Sequence, residues 1–354
     1  MTARKARSVS IWQAINAALP VIAIAFSLVV SLLMIWLLGA DPLEAFAALV
    51  RGAFGSLNSI GVTLTRATPL MLAGLGVAFA LRCGLFNIGG EGQIYIGAMA
   101  AVWVALNSPS LPYPLVLVLA LVAGFAGGAF WGAIAGVLRA VRGINEIIST
   151  ILLNYVAAYL VSLMVQGPMI EPPGYLPQTA RIPEVAQLPI LIPGIRMHAG
   201  TLLGLVAAVL LYFVLFRTPF GFRIRAVGAN PSAARAAGMN VKRSIILAMV
   251  ISGGLAGLAG IVEILSVQHR LSDFFSPGYG YDAIAVALLG GTNPVGVVLA
   301  AIFFGALRAG SNMMQRTTAV PAAVAGVIQG ITVLFVVIAA GIPQVRRRLR
   351  QKEE

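Results

Sequence analysis

In a chain that is 59% hydrophobic, one short stretch gathers side chains able to handle a polar solute. Residues 84–98, GLFNIGGEGQIYIGA, place Asn87, Glu91 and Gln93 among five glycines, with Phe86 and Tyr95 beside them. Glycines alone are explained equally well by close helix packing, with the polar groups hydrogen-bonding between helices. An acidic side chain at mid-bilayer costs about 2.5–3.5 kcal/mol on insertion scales, so it faces a cavity or a partner. Taken together, the glycines, Asn87, Glu91 and Gln93 predict a cavity lining, with Asn154 and Tyr155 further along the chain as added wall. Covalent chemistry has no comparable cluster. Cys83 is the one cysteine, His198 and His269 have no neighbouring ligands, and the eleven acids are scattered. No metal site or polytopic membrane enzyme is expected from them.

The elements that must position these groups are membrane helices. Only 10% of the residues are charged and mean hydropathy is +0.95, against about 25% charged residues in a soluble domain. The net charge of +13 gathers in short clusters between apolar runs, the pattern of membrane topology and not of nucleic-acid binding. The first apolar run, 20–39, follows Arg4, Lys5 and Arg7; it is long for a signal peptide and lacks a clean cleavage site, so it reads as a retained span. Further runs lie near 60–81, 84–106, 115–138, 144–166, 200–216, 244–265, 283–308 and 322–341. Segment 217–243 carries six basic residues and no acid, which places it in the cytoplasm and the Pro-rich 167–199 loop outside. The basic tail 342–354 is then expected inside with the 1–19 terminus, although an odd number of runs would leave it outside. The break Gly290-Gly291-Thr292-Asn293-Pro294 resolves this if 281–310 forms two half-helices entering and leaving on one side. The expectation is one all-α polytopic domain of about 8–10 spans, with broken segments near 84–98 and 281–310 and both termini cytoplasmic.

Two cytoplasmic features stand out. Asn230 suits an N-cap, Pro231 the first helical position, Ser232, Ala233, Ala234, Arg235, Ala236 and Ala237 a helix, and Gly238 its stop. So short a helix needs a support, either its own bundle and the lipid surface or a groove on a cytoplasmic partner. Asn145 and Glu146 open the span after Arg142. Glu146 either favours the helix N-terminus electrostatically or forms a gate with an arginine such as Arg139.

The stretches 74–98, 143–157, 222–263 and 276–310 occur in an order that resembles permease subunits of bacterial ABC importers of the simple-sugar and nucleoside branch. The form GLFNIGGEGQ is similar to the nucleoside-uptake group, and the length to the larger of two unlike permeases. The resemblance implies a multi-pass protein of the cytoplasmic membrane that imports nucleosides of the guanosine type. It further implies an unlike second permease, a separate ATPase that binds ATP and Mg, and an extracytoplasmic binding protein. No G-x-x-x-x-G-K-[ST] loop surrounds Lys5, Lys242 or Lys352, so no cofactor is expected in this chain. Residues 230–238 then take the place of a coupling helix, and His269, Arg270, Asp273 and Tyr279 become candidates for docking the binding protein. Phe86, Asn87, Glu91, Gln93, Tyr95, Asn154 and Tyr155 become the candidate path for a base and a ribose. A sugar permease is the nearest alternative, and an ion-gradient carrier a more distant one.

Overall fold

A computed structural model describes residues 22, 25–108, 111–318 and, with gaps, 320–338. The N-terminal 1–19 and the basic tail 342–354 lie outside the described residues, as does part of the run 322–341. Two compact units organise the chain: 64–305, and 1–63 with 306–354.

The smaller unit holds α1 (Ala25–Leu37), α2 (Pro42–Phe54), the start of α3 (Leu57–Arg82) and the end of α12 (Pro294–Thr318). Helix α2 has no counterpart among the expected spans. Asp41 caps it, accepting from the Leu43 and Glu44 amides at 2.8 and 3.3 Å, and Pro42 occupies the first position. Its 13 residues are too few to cross a bilayer. A buried hydroxyl pair, Ser27 with Thr332 at 2.8 Å, ties α1 to the last described helical turns.

The larger unit continues with α4 (Gly90–Asn107), α5 (Tyr113–Arg142), α6 (Glu146–Gln166), α7 (Ala199–Arg217), α8 (Pro219–Ala229), α9 (Pro231–Ala236), α10 (Val241–Glu263) and α11 (Tyr279–Leu289). Six helices among the described residues are long and apolar enough to cross a membrane: α3, α5, α6, α7, α10 with its extension to Gln268, and α12. The 167–199 loop adds a small antiparallel hairpin, β1 (Ile190–Ile192) with β2 (Ile195–His198), to a chain expected to be wholly helical.

Its centre is an antiparallel pair, α5 against α10, made by small residues. Gly124, Gly128 and Gly132 at four-residue spacing meet Gly257, Gly253 and Met249 so closely that a Cβ on Gly128 or Gly253 would strike the other helix's backbone. Apolar lipid gives helices no hydrophobic reason to associate, so this backbone approach, through dispersion, supplies the attraction. Helix α4 joins the pair through Gly97, which faces Gly257 and Gly124.

Both predicted breaks exist, each with a correction. The first is narrower than 84–98: irregular backbone ends at Gly89, and Glu91, Gln93 and Tyr95 sit in the opening turns of α4. The second falls at 290–293, but its pieces are unequal, 11 residues in α11 and 25 in α12. Helix α12 is long enough to cross alone, so matched half-helices do not form. Helices α3 and α11 run the same way: Arg66 meets Tyr279 at one end (3.5 Å), and Arg82 Nε donates to the Thr292 carbonyl at the other (2.9 Å). Thr292 holds a left-handed φ of 55°, a strained geometry for a β-branched residue, and Arg82 braces that turn.

Candidate functional site

The first break is stitched by amides. Asn87 Nδ2 donates to Gln93 Oε1 (2.9 Å) and to Ser252 Oγ on α10 (2.8 Å), while Asn87 Oδ1 accepts from the Gly89 amide (2.9 Å). Asn154, at the middle of α6, spans the break: its Oδ1 accepts from the Gly92 amide (2.8 Å) and its Nδ2 donates to the Ile88 carbonyl (2.9 Å). Such side chains are needed because non-helical backbone inside a membrane leaves groups that lipid cannot satisfy. Asn87, Gln93 and Asn154 are all buried; Asn87 and Gln93 bond each other, while Asn154 bonds the backbone of the break.

Glu91 is buried beside them, and its Oε2 accepts from the Gly280 amide at 2.7 Å. Gly280 lets the first turn of α11 sit against the first turn of α4, where a Cβ would overlap the Glu91 backbone. Tyr95 is buried edge-on to Phe275, ring centroids 4.9 Å apart. Phe86 is half-buried, and Tyr155 stands 59% exposed on the outer face of α6, apart from the buried cluster. A second buried group lies farther along α10. Glu263 takes hydrogen bonds from Tyr279 OH (3.2 Å) and Gln268 Nε2 (3.0 Å), with Arg66 Nη1 4.0 Å away. Sequence reasoning misses Arg66 and Ser252, although Arg66 is a charge inside the apolar run 60–81 and Ser252 a hydroxyl in the glycine-rich run of α10. Beyond Glu263 the helix widens into a π turn, Ile264–Gln268, ending at His269 with φ 56°. Such turns recur where a helix is bent for function.

The arginine-rich end carries the other candidates. Asn145 caps α6 through its Oδ1 and the Ile147 amide (2.9 Å), and Glu146 pairs with Arg139 at 3.2 Å while also accepting from the Phe86 amide (3.4 Å). Glu146 thus joins the ends of α5 and α6 to the break. Helix α9 forms where expected. Asn230 Oδ1 accepts from the Ser232 and Ala233 amides, both at 3.0 Å, and Gly238 ends the turn at φ 79°. Only Ala234 of its six residues is buried. It is preceded by an unforeseen helix, α8, whose cap Thr218 accepts from the Gly221 amide (3.1 Å). Together α8, the turn after α9 and the start of α10 line an open pocket of about 610 Å³ between Phe220, Phe222, Arg223, Met239 and Arg243.

At the opposite end, the irregular segment 177–188 of the long loop is hydrogen-bonded to 265–273, with the Thr179 amide donating to the Leu271 carbonyl and the Ile182 amide to the His269 carbonyl, both at 2.9 Å. Arg270 pairs with Glu171, and Asp273 accepts from Ser162 Oγ (3.0 Å) and Gln166 Nε2 (3.2 Å). Tyr279, expected on a docking surface, is instead fully buried, because its hydroxyl is the partner of Glu263. Burial holds His269 and His198 below the usual histidine range, with Arg181 adding to this for His269 and His269 for His198.

Residues 59–337 match the family model described as branched-chain amino acid transport system / permease component. The chain belongs to this family. The permease is 39% identical to the glucose ABC transporter permease protein TsgB13 of Haloferax volcanii, over 94% of this chain and 89% of that protein. It is also 39% identical to the guanosine ABC transporter permease protein NupP of Bacillus subtilis, over 94% and 96% of the two chains. The nucleoside ABC transporter permease protein NupB of Lactococcus lactis is 34% identical over 90% of each chain. It is accordingly a multi-pass membrane permease.

Proposed function

We propose that this permease forms half of the membrane path of an ATP-driven importer for purine nucleosides such as guanosine. The single observation that carries the ATP-driven reading is α9: a six-residue helix, capped by Asn230, backed through Ala234 and otherwise open to a partner at the arginine-rich end. A separate ATPase holding ATP and Mg seats on it, and the capped rod transmits opening and closing to α8 and α10. The arginine-rich end is cytoplasmic on the positive-inside rule. A second, unlike permease completes the path. Bacillus subtilis has two guanosine permease proteins that this chain resembles, NupP and NupQ, which supports such pairing. An extracytoplasmic binding protein delivers solute to the end that carries the 167–199 loop, with His269, Arg270 and Asp273 in the docking region.

The relatives NupP and NupB, together with the GLFNIGGEGQ form of the break, support nucleosides. TsgB13, a glucose permease at equal identity, supports a sugar as the second reading. Uptake of labelled guanosine into cells carrying the whole transporter tests both. ATPase-dependent uptake that excess ribose fails to compete is expected. Uptake indifferent to a hydrolysis-dead ATPase would remove the coupling role of α9, and absence of guanosine uptake alongside sugar uptake would remove the nucleoside reading.

A further inference from the structure

One face of α6 carries a row of polar and aromatic side chains with no place in the buried clusters. Tyr155, Tyr159, Ser162 and Gln166 recur at intervals of four, three and four, which aligns them along one edge of the helix. Tyr155 and Tyr159 are 59% and 66% exposed. The next edge of the same helix, Leu152, Val156 and Leu163, is exposed and purely aliphatic. Depth is what makes the row unusual. Tyr155 lies nine residues into a 21-residue helix, about 14 Å along it at 1.5 Å per residue, near the bilayer midplane. Lipid-facing tyrosines belong at the two interfaces, and a phenol facing hydrocarbon at the midplane leaves its hydroxyl unsatisfied.

The surroundings extend the row. Tyr281, 47% exposed, opens α11, and its hydroxyl lies 3.5 Å from Asn154 Nδ2, beside Tyr155 in sequence. Toward the 167–199 loop, Ser162 and Gln166 converge on Asp273 Oδ2, while Asp273 Oδ1 is buried without a hydrogen bond among the described residues. Phe274, next to it, is exposed and held at φ 47°, a conformation that bulky side chains avoid. Polar groups therefore run from the loop end to the level of the break and stop there; Ile148 continues the edge beyond.

We infer that Tyr155, Tyr159 and Tyr281 are the solute-facing aromatic wall of the path, with Ser162, Gln166 and Asp273 at its mouth, and that the second permease supplies the opposite wall. This deepens the nucleoside reading and rests on it: a nucleobase stacks on successive phenol rings, and hydroxyl and amide groups serve the ribose. Contact at Tyr281 or Tyr155 is one residue from Gly280 or Asn154, the partners of Glu91 and of the broken backbone. The wall thus adjoins the segment that bends.

Thiol labelling tests the wall apart from the solute. Cys83 is the only cysteine and is buried, so the wild-type permease supplies a low background. In the assembled transporter, Tyr155→Cys and Tyr159→Cys are expected to react with a charged, water-soluble maleimide and to be slowed by guanosine. Val156→Cys and Leu163→Cys are expected to stay silent. Silence at all four positions, or equal labelling of the aliphatic edge, overturns the wall. Selective labelling slowed by ribose and not by guanosine keeps the wall and overturns the nucleoside reading. As a second readout, Tyr159→Leu is expected to raise KM for guanosine by at least about fivefold with normal recovery of the complex; unchanged KM removes the stacking role.

Discussion

Asn154 illustrates how one side chain can hold a membrane segment in an irregular shape. It supplies a donor and an acceptor to two backbone groups that a helix would otherwise have paired internally. Asn154→Ala strands both in an apolar interior, and a loss of about 1–3 kcal/mol is expected, measured as thermal unfolding of the purified permease. Glu91 makes a different demand, since Gly280 needs only an acceptor. Glu91→Gln should therefore keep much of the transport that Glu91→Ala loses, with assembly on the ATPase intact in both; equal transport by all three proteins would contradict a path role. Histidine titration belongs here too. Burial lowers His269 and His198 below the usual 6.5, so the native loop resists protons that the opened loop accepts. Stability is complete above pH 6.5 and falls as acid takes the pH from there toward the lowered native values. Hydrogen exchange across 177–188 should accelerate over that window, and less so in the His198→Gln, His269→Gln double variant.

Helices α9 and α10 show what an element contributes beyond its residues. A six-residue helix cannot stand alone in water, so α9 depends on its Asn230 cap and on its seat through Ala234. Asn230→Ala should cost about 1 kcal/mol locally and, on the proposed coupling role, weaken stimulation of the proposed ATPase by solute more than it weakens its binding. Helix α10 depends instead on absent side chains. Gly253→Leu would drive a branched chain into the backbone of α5 at Gly128, and the permease is expected to be lost from the membrane fraction. Ser252, one residue away, donates nothing to that contact; its hydroxyl accepts from Asn87.

The larger unit, 64–305, is organised with one polar region at each end and one in the middle. The middle region, around the break, touches α4, α6, α10 and α11, so a displacement of any of these four helices must reorganise shared hydrogen bonds. Glu146 connects that region to the arginine-rich end through the Phe86 amide and Arg139. Glu146→Gln retains the acceptor but removes the charge. Transport should fall while ATP hydrolysis by the assembled complex continues, and parallel loss of both would instead indicate failed assembly.

Hydropathy and charge sufficed to establish a helical membrane protein, because an apolar run of about 20 residues has no other stable place. The Asn-Pro start and Gly stop of α9, and the Gly-Gly-Thr-Asn-Pro turn before α12, were equally legible, since caps and turns are decided by neighbours in the chain. Which partners the polar residues took was not, because those partners are remote in sequence. Asn87 finds Ser252, Glu91 finds Gly280, and Tyr279 leaves the expected surface for Glu263. Tyr155 and Asn154 are adjacent, yet a step of one residue turns a helical side chain by about 100°, so one is exposed and the other buried. Local periodicity sets those directions; only tertiary packing decides which of them meets protein.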